Sequence, residues 1–227
     1  MEKIKRFLRT FCLTKRIYKK LYSLKCKKQN QKKRENLQQN GIQTIHFLQD
    51  LLQNERFFFD MGTLLGIVRE NRLLGHDLDI DVAVYAENEE KIESVRAYLR
   101  EKGCRLKYTY YIPNVATVED SFEVNGIKFD VNYYKTEDVQ DICYLMYTDD
   151  TKVYTGGDMD VVRLTCDSVK NIQKRDFHGK EINVPEQAEH YLARRYGEDW
   201  RIPNTKWIYW KGPSTAPTQY VGKQKSY

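Results

Sequence analysis

Met61-Gly62-Thr63-Leu64-Leu65-Gly66-Ile67-Val68-Arg69, followed after a short loop by His76-Asp77-Leu78-Asp79-Ile80-Asp81-Val82, is the stretch on which the fold turns. A glycine turn opens the first run and an apolar run of helical character follows, so the segment reads as a helix entered from a tight turn. The second run changes period. From Leu78 to Tyr85, Leu78, Ile80, Val82 and Val84 fall on one side and Asp77, Asp79, Asp81 and Ala83 on the other, which is a strand carrying its acids on one face. Upstream, Arg56 to Asp60 is a short apolar strand candidate. Strand, tight turn, helix and strand in that order describe a mixed α/β domain.

Working outward, Leu37, Ile42, Ile45, Leu48, Leu51 and Leu52 form an apolar helical face over residues 36–54. Ile92, Val95, Tyr98 and Leu99 do the same over residues 88–102, closed by Gly103 where a left-handed cap residue sits. Phe122 and Val124 precede Asn125-Gly126, and Ile127, Phe129, Val131 and Tyr133 follow it, the pattern of a two-residue hairpin. Asp130 then points away from that apolar face. A second hairpin is expected at His178-Gly179, Pro185 precedes a helix over Glu186–Tyr196 that ends at Gly197, and the final residues read as irregular.

The chemistry lies in the acids. Side chains two apart on a strand share a face, with Cα atoms roughly 6.5 Å apart, so Asp79 and Asp81 reach one small cation together. Crowded carboxylates of this kind suit a divalent ion with hard oxygen ligands, Mg²⁺ or Mn²⁺, and Asp130 on a neighbouring strand completes the set. Taken alone, alternating acids are commonly a solvated face. Here they sit in an apolar, β-branched strand just after Gly62-Thr63, where a glycine lets a diphosphate approach the backbone and a helix N-terminus offers free N–H groups. Arg69 is a phosphate or substrate contact, or else an ordinary surface ion pair. Lys128, on the hairpin face of Asp130, is a group to neutralise phosphate, or else an ordinary exposed lysine, the commoner case.

Composition bounds the rest. The 227 residues are 41% hydrophobic and 31% charged, with 17 tyrosines, which describes a folded chain able to bury a core and not a disordered one. The net charge of +6 is uneven: residues 1–34 carry 14 Lys and Arg against Glu2, leaving the remainder at −7. Two parts are therefore expected, a basic tail over residues 1–34 and a catalytic domain over 35–227. In the tail Ile4, Phe7, Leu8, Phe11, Tyr18, Leu21 and Tyr22 recur at helical spacing among the basic residues, predicting a helix or two and then a solvated connector over Lys27–Arg34. Such a tail suits an anionic membrane surface, while the acidic balance of the domain argues against nucleic acid. Five scattered cysteines without a C-x-x-C pair fit a reducing cytoplasm, and neither a signal peptide nor a membrane-spanning run is expected.

The two quoted runs resemble the LicD and fukutin group of phosphotransferases, whose pattern is a G-T-L-L-G-x-x-R helix start followed by W-D-D-D-I-D. His76 stands where that group commonly has Trp, and Leu78 replaces the middle Asp of the triple. Tyr191-Leu192, Tyr196-Gly197, Asp199-Trp200 and Pro203 are similar to the group's Y-L-x-x-x-Y-G-x-D-W-x-x-P signature, so the resemblance spans about residues 36 to 205. It implies a nucleotidyltransferase-like mixed sheet flanked by helices. It also implies transfer of a phospho-alcohol, such as phosphocholine, ribitol phosphate or glycerol phosphate, from a CDP-linked donor to a surface glycan or lipid-linked oligosaccharide of capsule or lipopolysaccharide type, releasing CMP. Gly62 and Thr63 would hold the diphosphate, Asp79 and Asp81 the metal, Asp130 the metal or the acceptor hydroxyl as base, and Arg69 a phosphate. Tyr191, Tyr196 and Trp200 are expected to pack the C-terminal helix and not to stack on the cytosine. The expected location is cytoplasmic, at the inner face of the membrane. Two alternatives stand beside this reading: nucleotidyl transfer from an NTP to protein, RNA or a small molecule, and a non-catalytic membrane-associated accessory protein.

Overall fold

The computed structural model describes the backbone of residues 2–227 and the side chains of Leu21 and residues 23–227. Helix α1 (Glu2–Leu51) leads into strand β1 (Phe57–Phe59), helix α2 (Met61–Glu70), strand β2 (Asp79–Tyr85) and helix α3 (Glu89–Glu101). Strands β3 (Arg105–Ile112), β4 (Ala116–Val124), β5 (Ile127–Glu137), β6 (Gln140–Tyr147) and β7 (Met159–Asp167) follow. The chain ends with the hairpin β8 (Ile172–Phe177) and β9 (Lys180–Pro185), helix α4 (Ala188–Tyr196), a 3₁₀ turn (Tyr209–Lys211) and strand β10 (Thr215–Ser226). Among the described residues no helix is long and apolar enough to cross a membrane.

The main sheet runs β1-β2-β5-β4-β3-β10-β7-β6, and β5 pairs again with β6 through Lys135–Glu137. Strand β5 is thus shared: its first part carries the site between β2 and β4, and its end closes a ring of strands with β6. Strands β2 and β5 run parallel in register, joined by α3 and the β3–β4 hairpin, and the other pairs described are antiparallel. Asn125 and Gly126 both take positive φ, 52° and 73°, as the two-residue turn requires, and so do His178 and Gly179 at 53° and 85°. Helix α3 is capped by Asn88, whose Oδ1 accepts from the Lys91 amide at 2.9 Å, and Gly103 follows it at φ 87°.

The core lies where α1, α2 and α4 cover the β1-β2-β5 portion. Phe57, Phe59, Ile80, Val82, Val84, Phe129 and Val131 are fully buried, each contributing about 1.5–3 kcal/mol of transfer free energy. The separate β8–β9 hairpin packs on this layer through Asn183, whose Nδ2 donates to the Phe57 carbonyl at 2.9 Å.

Two expectations are corrected. The connector expected over Lys27–Arg34 is helical, and α1 passes residue 34 without a break. Lys, Gln and Arg are good helix formers, and Gln31 bonds Glu35 one turn on, so polarity alone does not end the helix. Gly41 is kept small because a Cβ there would lie 2.3 Å from Leu73 Cδ1. The expected apolar face from Ile4 to Tyr22 lies, apart from Leu21, outside the residues whose side chains are described. The second correction is β10. Its residues were expected to be irregular, yet they form a central strand between β3 and β7, with a register shift between Pro217 and Val221. Proline, glycine and a largely exposed face hide the strand locally, and its partners are remote in sequence.

Candidate active site

Parallel pairing sets Asp79 opposite Lys128 and Asp81 opposite Asp130, so the acids of β2 and the outward side chains of β5 share one face. The antiparallel partner β4 adds Ser121 opposite Asp130 and Glu119 opposite Asn132. Helix α2 is moored to the same place: the Asp60 amide donates to the Asp81 carbonyl at 3.0 Å, and the Asp81 amide donates to Thr63 Oγ1 at 2.9 Å. Together they floor a cleft of about 1010 Å³ whose walls include Met61, Gly62, Arg69, Tyr110, Arg195 and Trp207.

Lys128 is the cation in this acidic face. Its Nζ donates to Asp130 Oδ2 at 2.6 Å and to Asp79 Oδ2 at 3.1 Å, while Ser121 Oγ donates to Asp130 Oδ1. Burial works against the charge on Lys128, but Asp130, Asp79 and Glu119 outweigh it and hold its pKa above the ordinary value. The acids bear the opposite stress. Burial, then the charges of Asp79 and Asp130, push Asp81 well above the usual carboxylate range, and burial raises Asp130 as well. Burial and the Asp130 charge push Glu119 up to about 8, and burial followed by Asp79 pushes Asp77 up to about 7.

Among the described residues no three His, Cys, Asp or Glu side chains converge on one ion-holding point, and the Lys128 ammonium stands between Asp79 and Asp130 instead. The donor set nevertheless fits a hard divalent ion. Asp79 and Asp81 lie on one strand face, Asp130 stands across from Asp81, and four carboxylates face a single lysine.

These protons set an expected pH response. Between about pH 5 and 8 the folded, metal-free chain holds protons that the unfolded chain has released, so its stability falls as pH rises through the raised values at Asp77 and Glu119. Melting temperatures recorded in EDTA should decline across this interval, and Glu119→Gln should flatten the decline. A rise with pH, or an unaltered slope in the variant, would contradict these electrostatics.

The remaining residues singled out in the sequence divide. Gly62 lines the cleft, and its Cα is crowded by Asp77, since a Cβ would meet Asp77 Oδ2 at 3.0 Å. The Thr63 side chain is fully buried beneath the cleft with its hydroxyl on Asp81, so only the backbone of this turn is left to face an anion. Arg69 lines the cleft but spends its guanidinium on Glu70 Oε1, at 2.7 and 3.1 Å, and on the Trp200 carbonyl at 3.2 Å. Tyr191 is buried, edge-on to Phe58 with centroids 5.6 Å apart, whereas the largely buried Trp200 and Tyr196, the latter against Trp207, line the cleft.

Glu119, Asp60 and Arg195 were missed. Glu119 had a signal, because counting back from the Asn125-Gly126 turn puts it on the face of Asp130. Asp60 immediately precedes the glycine turn. It is fully buried and accepts from Tyr134 Oη at 2.6 Å and Tyr191 Oη at 2.9 Å. Arg195, in the last turn of α4, had none.

The family profile described as LicD/FKTN/FKRP, nucleotidyltransferase domain, matches residues 54–187. Ribitol-5-phosphate transferase FKTN of Homo sapiens is 22% identical over 163 residues, covering 69% of this chain and 32% of its own length, and the Macaca fascicularis protein of that name matches equally. The chain thus corresponds to about a third of these relatives. The solved structure of ANT(2")-Ia in complex with adenylyl-2"-tobramycin aligns over 74% of this chain and 82% of its own, at a TM-score of 0.42 and 12% identity. With the profile spanning more than half of its residues, including β2, β5 and the glycine turn, the chain belongs to the LicD/FKTN/FKRP nucleotidyltransferase-domain family.

Proposed function

We propose that this chain transfers a phospho-alcohol, of the phosphocholine, ribitol phosphate or glycerol phosphate kind, from a CDP-linked donor to a hydroxyl of a surface glycan or lipid-linked oligosaccharide, releasing CMP. The observation that carries this reading is the β2–β5 register, which gathers Asp79, Asp81 and Asp130 beside the start of α2 in one cleft of a LicD-type domain. A bound Mg²⁺ or Mn²⁺ would supply charge neutralisation for the donor's phosphates. Asp79 and Asp81 are the residues to hold it, and Asp130 either joins them or stays free as the base.

The acceptor oxygen attacks the phosphorus that bears the alcohol, the bond from that phosphorus to the CMP oxygen breaks, and the acceptor proton passes to a carboxylate. Asp130 suits that last role, because burial lifts its proton affinity while Lys128 and Ser121 fix its direction. Gly62 at the cleft wall lets a diphosphate approach the uncapped start of α2. The exposed Leu21 and Leu24 on the basic helix α1 support a further part of the proposal, docking at an anionic membrane surface.

The test is CMP release from CDP-choline, CDP-ribitol and CDP-glycerol with Mg²⁺ and a glycan acceptor. Asp79→Asn should remove it. Turnover by Asp79→Asn at the wild-type rate, or pyrophosphate released from an NTP in place of CMP, would overturn the reading. Cosedimentation with phosphatidylserine vesicles checks the membrane role, and equal binding to neutral vesicles would count against it.

A further inference from the structure

Arg195 is 4% exposed, yet its Nη1 is buried without a hydrogen-bond partner, and its Nη2 meets the Met61 thioether sulfur. A guanidinium carries five N–H donors, and leaving them unmet in a low-dielectric interior is costly. Asp60 answers its charge, but the two Asp60 oxygens accept from Tyr134 and Tyr191. A buried guanidinium with an unmet donor suits an anionic ligand.

The surroundings specify that ligand. Arg195 lines the cleft beside Met61 and Gly62, the first residues of the ten-residue helix α2. Asp60 at the N-cap makes no side-chain cap and the first turn holds no acid, so the early amides of α2 keep their donors. Met61 itself takes φ 51°, a left-handed conformation unusual for a side chain of its size. On the other flank the Asp77 carboxylate crowds Gly62. Arg69, the arginine that the sequence brings forward, is already occupied by Glu70 and the Trp200 carbonyl.

We propose that Arg195 and the first amides of α2 form a phosphate subsite that grips the diphosphate of the nucleotide-linked donor, with Arg195 as the arginine in contact with it. This rests on the donor reading above and adds a binding residue to it. A planar fork suits two phosphate oxygens at once, which a lysine ammonium does not reproduce.

Calorimetric titration of the full chain with CDP and with inorganic pyrophosphate, both in EDTA, tests the subsite without a metal contribution. Arg195→Met should weaken both ligands by about 10- to 100-fold, and Arg195→Lys, which keeps a charge opposite Asp60, should lose part of that. Mn²⁺ binding followed by electron paramagnetic resonance should stay as in the wild type, a result that general collapse of the site would not give. In turnover, the KM for the donor should rise by more than kcat falls. If Arg195→Met does not fold, Arg195→Lys decides: affinity equal to the wild type for both ligands overturns the subsite and leaves the donor reading standing. A wild-type protein that binds neither CDP nor pyrophosphate in EDTA overturns the subsite, and one that also binds neither with Mg²⁺ present overturns the donor reading as well.

Discussion

Asp81→Asn should lower CMP release by about 10²- to 10³-fold or more and at the same time raise the melting temperature of the metal-free protein. Asp81 lies on the shared face of β2 and β5, where burial and the charges of Asp79 and Asp130 make its ionised form costly. An amide of nearly the same shape removes that charge, and its neighbours then repel one fewer partner. A gain of about 1 kcal/mol would appear as about 2–4 °C in a chain of this size. Function moves the other way, because an amide is a poor ligand for a hard cation and leaves the diphosphate charge less well met. Thermal melts in EDTA and CMP release with Mg²⁺ measure the two halves separately. A variant that turns over at the wild-type rate, or that melts below the wild type, would show that Asp81 is not a strained functional carboxylate.

Asp60→Ala should be the most damaging single change outside the cleft floor. The substitution removes the acceptor of two buried phenols and the carboxylate that answers the charge of Arg195. Leaving two buried phenols without their acceptor costs about 1–3 kcal/mol each, against a total stability of about 5–15 kcal/mol for a typical domain. Asp60→Asn keeps the shape and part of the hydrogen bonding, so its loss should be smaller. Urea unfolding of both variants checks the order. Wild-type midpoints for Asp60→Ala would mean that the Tyr134, Tyr191 and Arg195 cluster carries no net stability.

The contrast between Asp60 and Asp81 shows how far the sequence could be read. Asp81 was legible because alternation over Leu78–Tyr85 has a period of two residues, and the strand face follows from it directly. Asp130 was legible for a related reason: a two-residue turn at Asn125-Gly126 fixes the pairing of β4 with β5, and with it the outward side. The same counting reaches Glu119, opposite Asn132, although the apolar Phe122 and Val124 are the stronger local signal of that strand. Asp60 followed an apolar run and looked like a strand end. Its partners Tyr134 and Tyr191 come from β5 and α4, and no local pattern announces them.

Lys128 and Arg69 carry the same lesson with opposite outcomes. Both were placed near phosphate from residue type and face. The structure engages Lys128 between Asp79 and Asp130, inside the acidic cluster, and engages Arg69 with Glu70 and the Trp200 carbonyl. Which anion a long cationic side chain meets depends on what is packed within its reach, and that is set across elements.

The amino-acid sequence by itself determined the short-range features of this protein: the helix of Met61–Arg69, the acid-bearing strand, the Asn125-Gly126 and His178-Gly179 hairpins and the family signature. These depend on backbone dihedral preferences and side-chain periodicity, which act over a few residues. Tertiary structure alone decided the parallel register that brings Asp79 and Asp81 to Asp130, the place of β10 between β3 and β7, and the meeting of Arg195 with the start of α2. Those contacts join segments far apart in the chain, and which of many possible pairings forms is settled by the burial and hydrogen bonding of the assembled whole.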